Sequence, residues 1–300
     1  RSPSRGLGDV YKRQGAACGS EACIANVLRN NIKYGNMEIL ENSYGISLRS
    51  LILFAEKLYP DLTPMKAALK AISIILFKLE GQIIMRHSEY NMDDRLLLDK
   101  MDLGKGTVCI EGQEYDLNDT YFPTIDFKQP YVLSEEEQKV MEDLRASFRN
   151  SHVLRNHVEF LYEKGSIYRV YNGNLLFHGC IPLDENGNLD GIQIGEKFYC
   201  GKEYMDYAQR VARLAFYQGT RPALDFMWYL WCGKKSPLSG RNIKTFERTF
   251  VEDKRAWEEA KDPYYRYYQQ EDVCVRILGE FGLHSSMSLS LIHISEPTRR

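Results

Sequence analysis

The sequence lacks the cysteine spacing that builds disulfide frameworks or zinc sites. Its seven cysteines are odd in number, widely scattered and never in C-x-x-C spacing. Disulfide-rich secreted domains and zinc knuckles both depend on closely spaced pairs. No apolar stretch follows the charged first 14 residues, so no signal peptide is predicted. Together these features favour a reducing compartment, and we expect a cytoplasmic protein.

Long apolar runs and an excess of charge of one sign are also missing. The longest apolar runs, such as residues 72–77, are far shorter than the roughly 20 residues that a membrane span needs. Lys and Arg number 39 against 41 Asp and Glu, so no overall field attracts nucleic acid or an anionic membrane. We therefore expect neither a nucleic-acid partner nor a membrane.

What is present is enough for one large or two ordinary domains. The chain has 300 residues, of which 44% are hydrophobic and 12% aromatic. Its two ends, residues 1–14 and 288–300, show no apolar periodicity continuous with their neighbours and resemble translated sequencing adapters. We predict that both are non-native and exclude them from the fold. Without them the interior is more acidic than the net charge of −2 for the whole chain.

Residues 15–103 are predicted to be a helical region. Gly19-Ser20 supplies a helix N-cap before an apolar stripe at helical spacing, and that helix ends near Gly35. Two or three further helices are predicted over residues 46–59 and 63–86, with prolines between them.

Residues 104–287 are predicted to be a mixed α/β region. Glu111-Gly112-Gln113 marks one β-hairpin, and Asn172-Gly173 between β-rich runs marks a second with a type I′ turn. Residues 134–164 read as helix, beginning at the capping-box pattern Ser134 to Glu137. An amphipathic helix is predicted over residues 204–215. The fold class is therefore α/β or α+β.

His178 is the single residue best placed for chemistry. It follows the apolar strand ending at Phe177 and precedes Gly179, so the imidazole is expected at a strand end, where α/β proteins place their sites. The alternative is a half-buried histidine that donates to a backbone carbonyl. One histidine does not make a metal site.

A basic segment, residues 233–248, is the second candidate. It carries five cations among glycines and hydroxyl residues, which could bind phosphate oxygens, although no Walker A motif is present. The alternative is a solvated basic loop. The candidate phosphate-binding residues are Lys234, Lys235, Arg241, Lys244 and Arg248.

An aromatic segment, Tyr264 to Tyr268, could in principle stack on nucleic-acid bases. In an acidic interior, packing on a helix is the favoured interpretation.

Five further segments are informative when they are taken together and in order: residues 15–26, 77–84, 92–99, 171–182 and 244–248. Together they resemble the bacterial class III fructose-1,6-bisphosphatases, a branch of the calcineurin-like metallophosphoesterases. The resemblance runs in order from about residue 15 to residue 287, over about the middle half of a family member.

The resemblance implies a two-sheet α/β/β/α sandwich with a largely helical cap or insertion region, and a dinuclear Mn²⁺ site. Residues 15–103 are then expected to follow a missing metal-binding N-terminal part, and residues 104–287 to be the mixed α/β metallophosphatase core with an insertion. Four family motifs, D-x-H, G-D-x-x-D-R-G, G-N-H-D and G-H-T-P, are absent from the sequence. Gly8-Asp9 is not a copy of the second motif, because Lys12 replaces an acid and Asp9 lies only six residues before Gly15. We therefore expect an internal fragment that is inactive alone.

His178 matches the strand-end histidine of the family's H-G-C-I-P motif, and the resemblance implies that it ligates one metal. The implied activity is hydrolysis of the 1-phosphate of fructose 1,6-bisphosphate in gluconeogenesis. The expected partner is a small sugar bisphosphate, with a possible homo-oligomer. A non-catalytic phospho-ligand or protein-binding domain, or another phosphatase of the superfamily, stays open as an alternative.

Overall fold

The computed structural model describes residues 14–284. The expected adapter-like head lies outside them except for Gln14, and so does the whole tail, as does the Gly8-Asp9 pair. The described residues divide into two compact units. We call residues 14–159 and 244–258 the helical unit, and residues 160–243 and 259–284 the hairpin unit. The domain boundaries drawn from the sequence stay predictions.

Three α-helices follow a short helical turn at residues 14–17 of the helical unit. They are α1 (Glu21–Lys33), α2 (Arg49–Leu58) and α3 (Pro64–Arg86). The first predicted helix is confirmed, and residues 46–59 and 63–86 form two α-helices, the lower of the two predicted numbers. Ser20 occupies the N-cap position of α1, but its side chain makes no capping hydrogen bond. Both α1 and α2 pack against α3, whose residues are buried over most of its length. The core of this unit therefore surrounds α3.

A small antiparallel sheet follows. Its strands are β1 (Met101–Asp102), β2 (Thr107–Ile110) and β3 (Gln113–Asp116), in that order. The predicted hairpin is confirmed, with Glu111 and Gly112 both at positive φ in the turn. Two residues in the left-handed region match the right-handed twist of the flanking strands.

The predicted helix over residues 134–164 is interrupted. It forms α4 (Glu135–Asn150) and α5 (His152–Lys164), separated by Ser151 in an extended conformation. The Ser151 hydroxyl donates to the carbonyl oxygen of Tyr44 and accepts from the backbone N–H of Leu154. A tertiary contact thus ends one helix and caps the next. The capping box between Ser134 and Glu137 is confirmed in both directions.

The hairpin unit contains two separate two-stranded antiparallel sheets. The first pairs β4 (Tyr168–Tyr171) with β5 (Asn174–Phe177), and the second pairs β6 (Gly191–Ile194) with β7 (Lys197–Cys200). Asn172 and Gly173 both have positive φ, as the predicted turn requires. The β6–β7 hairpin was not predicted.

Helices complete this unit. They are α6 (Gly201–Gln218), which confirms the amphipathic prediction, then α7 (Arg221–Cys232), α9 (Tyr264–Tyr267) and α10 (Glu271–Glu280). The short α8 (Glu247–Phe250) belongs to the helical unit. Tyr264 is buried and packs at the start of α9, in agreement with the packing interpretation.

The fold is mixed α/β, as predicted. Over residues 14–284 the strands form three small antiparallel sheets, so the calcineurin-like sandwich is not confirmed there. None of the helices described is long and apolar enough to cross a membrane.

Candidate functional site

His178 lies directly after strand β5, half-buried, at the end of a two-stranded antiparallel hairpin. The next residues of the chain run along the segment 236–238 of the same unit. The backbone N–H of Cys180 donates to the carbonyl oxygen of Pro237 at 3.0 Å. The carbonyl oxygen of Gly179 accepts from the Tyr265 hydroxyl at 3.3 Å. The backbone that carries His178 is therefore held from two sides.

Gly179 is required at this position by close backbone contact. A Cβ built on Gly179 would lie 2.3 Å from the carbonyl oxygen of Pro237 and 2.8 Å from the carbonyl carbon of Leu238. No side chain fits in that space. The His-Gly pair in the sequence thus reflects the approach of the basic segment to the strand end.

Lys235, one of the candidate phosphate-binding residues, is already engaged within the hairpin unit. Its Nζ lies 2.7 Å from the carboxylate of Asp190, 2.7 Å from the carbonyl oxygen of Leu183 and 3.5 Å from the carboxylate of Asp262. Burial lowers the pKa of Lys235, but the hydrogen bond to Asp190 and the charge of Asp262 outweigh that effect and raise it. Lys235 is therefore held as a cation between two acids.

Asp262 also binds Leu183, at its backbone N–H and not at its carbonyl oxygen. Its buried carboxylate accepts from the backbone N–H groups of Leu183 and Tyr264, at 3.0 and 2.9 Å. Burial raises the pKa of Asp262. The backbone of Leu183, five residues after His178, is thus hydrogen-bonded at its carbonyl oxygen to Lys235 and at its N–H to Asp262.

The remaining cations of the basic segment fall into different units. Lys234 and Arg241 belong to the hairpin unit, where the exposed Arg241 lies 3.6 Å from Glu259. Lys244 and Arg248 belong to the helical unit. Arg248 is exposed and donates to the carbonyl oxygen of Trp257. The five cations do not form one cluster within either unit, and their role in binding phosphate stays a prediction.

Lys244 is part of a buried set of charges that the sequence did not reveal. The set, here called the buried charged cluster, consists of Arg29, Glu80, Arg95, Lys244 and Glu247. Arg95 pairs with Glu80 at 3.0 Å, and Lys244 pairs with Glu247 at 3.3 Å and with the exposed Glu111 at 3.3 Å. Burial lowers the pKa of Arg29, opposed by the charge of Glu80. All five side chains are almost fully buried.

Two threonines complete this cluster. Arg29 Nη2 donates to Thr249 Oγ1 at 2.5 Å, and Arg95 Nη2 donates to Thr245 Oγ1 at 2.9 Å. Thr249 Oγ1 in turn donates to the carbonyl oxygen of Thr245 at 2.7 Å. The sequence signal for this cluster is present in α1, where Asn26 and Arg29 interrupt a buried face at helical spacing.

The described residues do not fit a dinuclear manganese site by themselves. No group of three or more His, Cys, Asp or Glu side chains over residues 14–284 is arranged to hold a metal ion. Metal sites need several converging ligands. These residues alone therefore support no metal-assisted step, and the assignment of His178 as a metal ligand stays a prediction.

Comparison with known proteins gives one consistent family. The family model described as Firmicute fructose-1,6-bisphosphatase matches residues 9–294, which includes parts of both segments that we expected to be non-native. No solved structure is significantly similar to the chain.

Curated relatives carry the same description. The chain is 44% identical over 299 residues to a class 3 fructose-1,6-bisphosphatase of Clostridium beijerinckii, covering 91% of this chain and 45% of the relative. It is 47% identical over 294 residues to that of Clostridium tetani, covering 90% and 44%. For Ligilactobacillus salivarius the identity is 41% over 312 residues, covering 95% and 48%. The chain spans about half the length of the curated relatives that it matches, and it belongs to the Firmicute fructose-1,6-bisphosphatase family.

Proposed function

We propose that the chain forms part of a phosphatase that hydrolyses the 1-phosphate of fructose 1,6-bisphosphate, giving fructose 6-phosphate and phosphate. The observation that carries the proposal is sequence identity of 41–47% to class 3 fructose-1,6-bisphosphatases over 90–95% of the chain. Gluconeogenesis is the proposed metabolic setting, and Mn²⁺ the proposed metal.

Within this proposal, the hairpin unit contributes a rigid strand end. His178 is followed by a backbone that bonds to Pro237 and Tyr265 and is gripped at Leu183. A catalytic or binding side chain must be held to within about 0.5 Å of its productive position, and rigid neighbours supply that accuracy. Among the described histidines, we propose His178 as the one that contributes to the active site.

The test is a chimera. The matching segment of the Clostridium beijerinckii relative is replaced by residues 14–284 of this chain, and phosphate release from fructose 1,6-bisphosphate is measured with Mn²⁺. We expect turnover, with one phosphate released per sugar and fructose 6-phosphate as product. A folded chimera that binds fructose 1,6-bisphosphate but releases no phosphate would instead favour a non-catalytic phospho-ligand domain.

Two histidine variants of the chimera test the site. His178→Ala is expected to lower kcat by at least about 100-fold, the scale on which catalytic groups act. The matched control is His152→Ala, which removes an exposed imidazole at the start of α5. Equal activity of both variants would return His178 to a structural role.

A further inference from the structure

Two buried hydrogen-bond donors on helix α1 have no acceptor within the part of the chain that the structure describes. They are the amide nitrogen Nδ2 of Asn26 and the guanidinium nitrogen Nε of Arg29. Asn26 is 1% exposed and Arg29 is 6% exposed. The two residues are three positions apart, so they lie on the same face of the helix.

The orientation of the Asn26 amide is fixed by its other end. Its oxygen Oδ1 accepts from Asn30 Nδ2 at 3.3 Å, one turn further along the helix. The nitrogen therefore points away from Asn30. Since an amide that accepts through its oxygen has both N–H groups left to donate, Asn26 offers a donor that only an additional acceptor can satisfy.

Most neighbouring polar groups are engaged with one another, although Glu247 Oε1 in the same cluster accepts no hydrogen bond from the residues described. Arg29 Nη2 holds Thr249 Oγ1, Arg95 Nη2 holds Thr245 Oγ1, and the carboxylates of Glu80 and Glu247 pair with Arg95 and Lys244. Leaving buried donors without an acceptor is costly, and more than nine in ten buried polar groups in proteins are paired. The two donors on this face of α1 therefore call for an acceptor that the described residues do not supply.

The charge of the surroundings favours an anion over a neutral acceptor. The buried charged cluster holds three cations, Arg29, Arg95 and Lys244, against two buried carboxylates, while the third carboxylate that pairs with Lys244, that of Glu111, is 66% exposed and screened by solvent. In a buried, low-dielectric environment such an excess of one positive charge strengthens bonds to an anion. An oxyanion also brings several acceptor oxygens, which suits one guanidinium edge and one amide.

We propose that Asn26 Nδ2 and Arg29 Nε bind an oxygen of a phosphate group, and that the buried charged cluster balances its charge. This site uses Lys244 of the basic segment but neither His178 nor the cations at residues 234–241. Identification of this group as a phosphate of the sugar bisphosphate rests on the proposed function; binding of phosphate itself does not.

The experiment measures thermal unfolding of the full 300-residue chain with inorganic phosphate and with sodium chloride at equal ionic strength. Ligand that binds only the folded state raises Tm as its concentration exceeds Kd, by several degrees at a hundredfold excess. We expect such a rise with phosphate and little with chloride. No phosphate-specific rise in Tm, confirmed by the absence of heat on calorimetric titration, overturns the proposal.

Variants then locate the binding. Asn26→Leu removes the donor at nearly constant shape and is expected to abolish most of the phosphate response, without lowering Tm in chloride by a comparable amount. The matched control is Asn31→Leu on the same helix, where Asn31 donates to the backbone oxygen of Val27, and its phosphate response should equal that of the unaltered chain. An equal rise in Tm with phosphate in the unaltered chain, Asn26→Leu and Asn31→Leu would mean an adventitious ion only, and the proposed site would be wrong.

Arg29→Lys is the second variant, because it keeps the charge but loses Nε, and it serves if Asn26→Leu does not fold. We expect Arg29→Lys to need at least a tenfold higher phosphate concentration for the same rise in Tm. A response retained in Arg29→Lys would contradict a role for Nε.

Two further ligands identify the source of the phosphate group. Fructose 1,6-bisphosphate acting at lower concentration than inorganic phosphate supports a sugar phosphate, whereas a response to inorganic phosphate alone indicates free phosphate. The binding measurements on the chain involve no turnover, so they are independent of the activity of the chimera. If the chain binds phosphate but the chimera is inactive, only the proposed function is refuted. An active chimera whose chain shows no phosphate response would refute only this site.

Discussion

The carbonyl oxygen of Pro237 stands where a side chain of Gly179 would begin, with 2.3 Å between that oxygen and the Cβ position. This contact connects the residue after His178 with the basic segment, 58 residues later in the printed sequence. Backbone meets backbone here, so neither partner can rotate out of the way. The strand end can keep its position only with glycine.

Gly179→Ala is therefore expected to destabilise the chain by about 2 kcal/mol, within the range for overpacked sites. Urea unfolding followed by circular dichroism measures the change. The control is Gly279→Ala in α10, where no atom beyond the neighbouring residues and backbone of the same helix lies within 4 Å of the Cβ position. That control should be neutral or stabilise by up to about 1 kcal/mol. Equal stabilities for the two variants would show that the contact relaxes easily.

The buried ion pair of Lys78 and Glu137 gives a second prediction. Nζ and Oε2 are 2.7 Å apart, with the side chains 0% and 1% exposed. Lys78→Met leaves the Glu137 carboxylate buried without its cation, and we expect a loss of about 3–5 kcal/mol in unfolding free energy. The comparison is Lys57→Met in the exposed Lys57–Glu136 pair, 69% and 55% exposed.

We expect the Lys57→Met change to stay below about 1 kcal/mol, since solvent screens such pairs. Both variants are measured by chemical unfolding at the same pH and salt. If Lys78→Met and Lys57→Met lowered the unfolding free energy by equal amounts, the buried Lys78–Glu137 pair would not stabilise the start of α4 as the structure indicates.

Thiol labelling provides a third prediction. Cys180 is fully buried, and burial raises its pKa well above the usual value, with a further contribution from Asp262. Cys109 is exposed on strand β2. Because the thiolate is the reactive form, a thiol reagent should modify Cys109 in the native chain while Cys180 reacts only after unfolding. Mass spectrometry of peptides taken early in the reaction measures which thiol is labelled first. Labelling of Cys180 before Cys109 would contradict the prediction.

Asp262 gives a prediction on pH. Its pKa is raised in the folded chain, chiefly by burial, from an ordinary value of 3.8. Between the ordinary and the raised pKa the folded state binds more proton than the unfolded state, so Asp262 contributes stability that is lost as pH rises above about 3.8. Asp262→Asn removes this contribution.

The measurement is the difference in unfolding free energy between the unaltered chain and Asp262→Asn over pH 3 to 7. We expect the stability of the unaltered chain to fall relative to the variant as pH rises. A difference that stays constant or changes with the opposite sign would mean that Lys235 and the two backbone N–H groups outweigh burial.

Catalysis by the 300-residue chain on its own is the last prediction. Residues 14–284 hold no group of three side chains arranged for a metal, and a metal-assisted hydrolysis needs such ligands to activate water. We expect no release of phosphate from fructose 1,6-bisphosphate with Mn²⁺ above the buffer rate. Turnover that survives further purification would show that the chain supplies a complete site.

Local features of the fold could be predicted from the sequence because their causes are local. Asn172-Gly173 determines the β4–β5 turn, and Ser134 with Glu137 determines the start of α4. The break at Ser151 could not be predicted, since it depends on the carbonyl oxygen of Tyr44, 107 residues earlier. Hairpin β6–β7 was missed although Gly195 lies in its turn with positive φ.

The candidate sites show the same limit more strongly. His178 was found because a strand-end histidine before glycine is visible in a short stretch of sequence. The acceptor of Arg29 is Thr249, 220 residues away, and no spacing rule joins them. A buried helix face that contains Asn26 and Arg29 indicates an internal polar partner, but the identity of that partner needs the fold.

The helical unit is built from two stretches of chain that are far apart in sequence. Arg95 finds the Thr245 hydroxyl only after 150 further residues have been added, and at roughly 5–20 residues per second synthesis of that interval takes about 8–30 s. During translation the two arginines of the cluster are therefore without their threonine acceptors while residues 160–243, the larger part of the hairpin unit, are synthesised. The nascent chain must keep these cations hydrated, and its folding is completed late, by closure of a long loop.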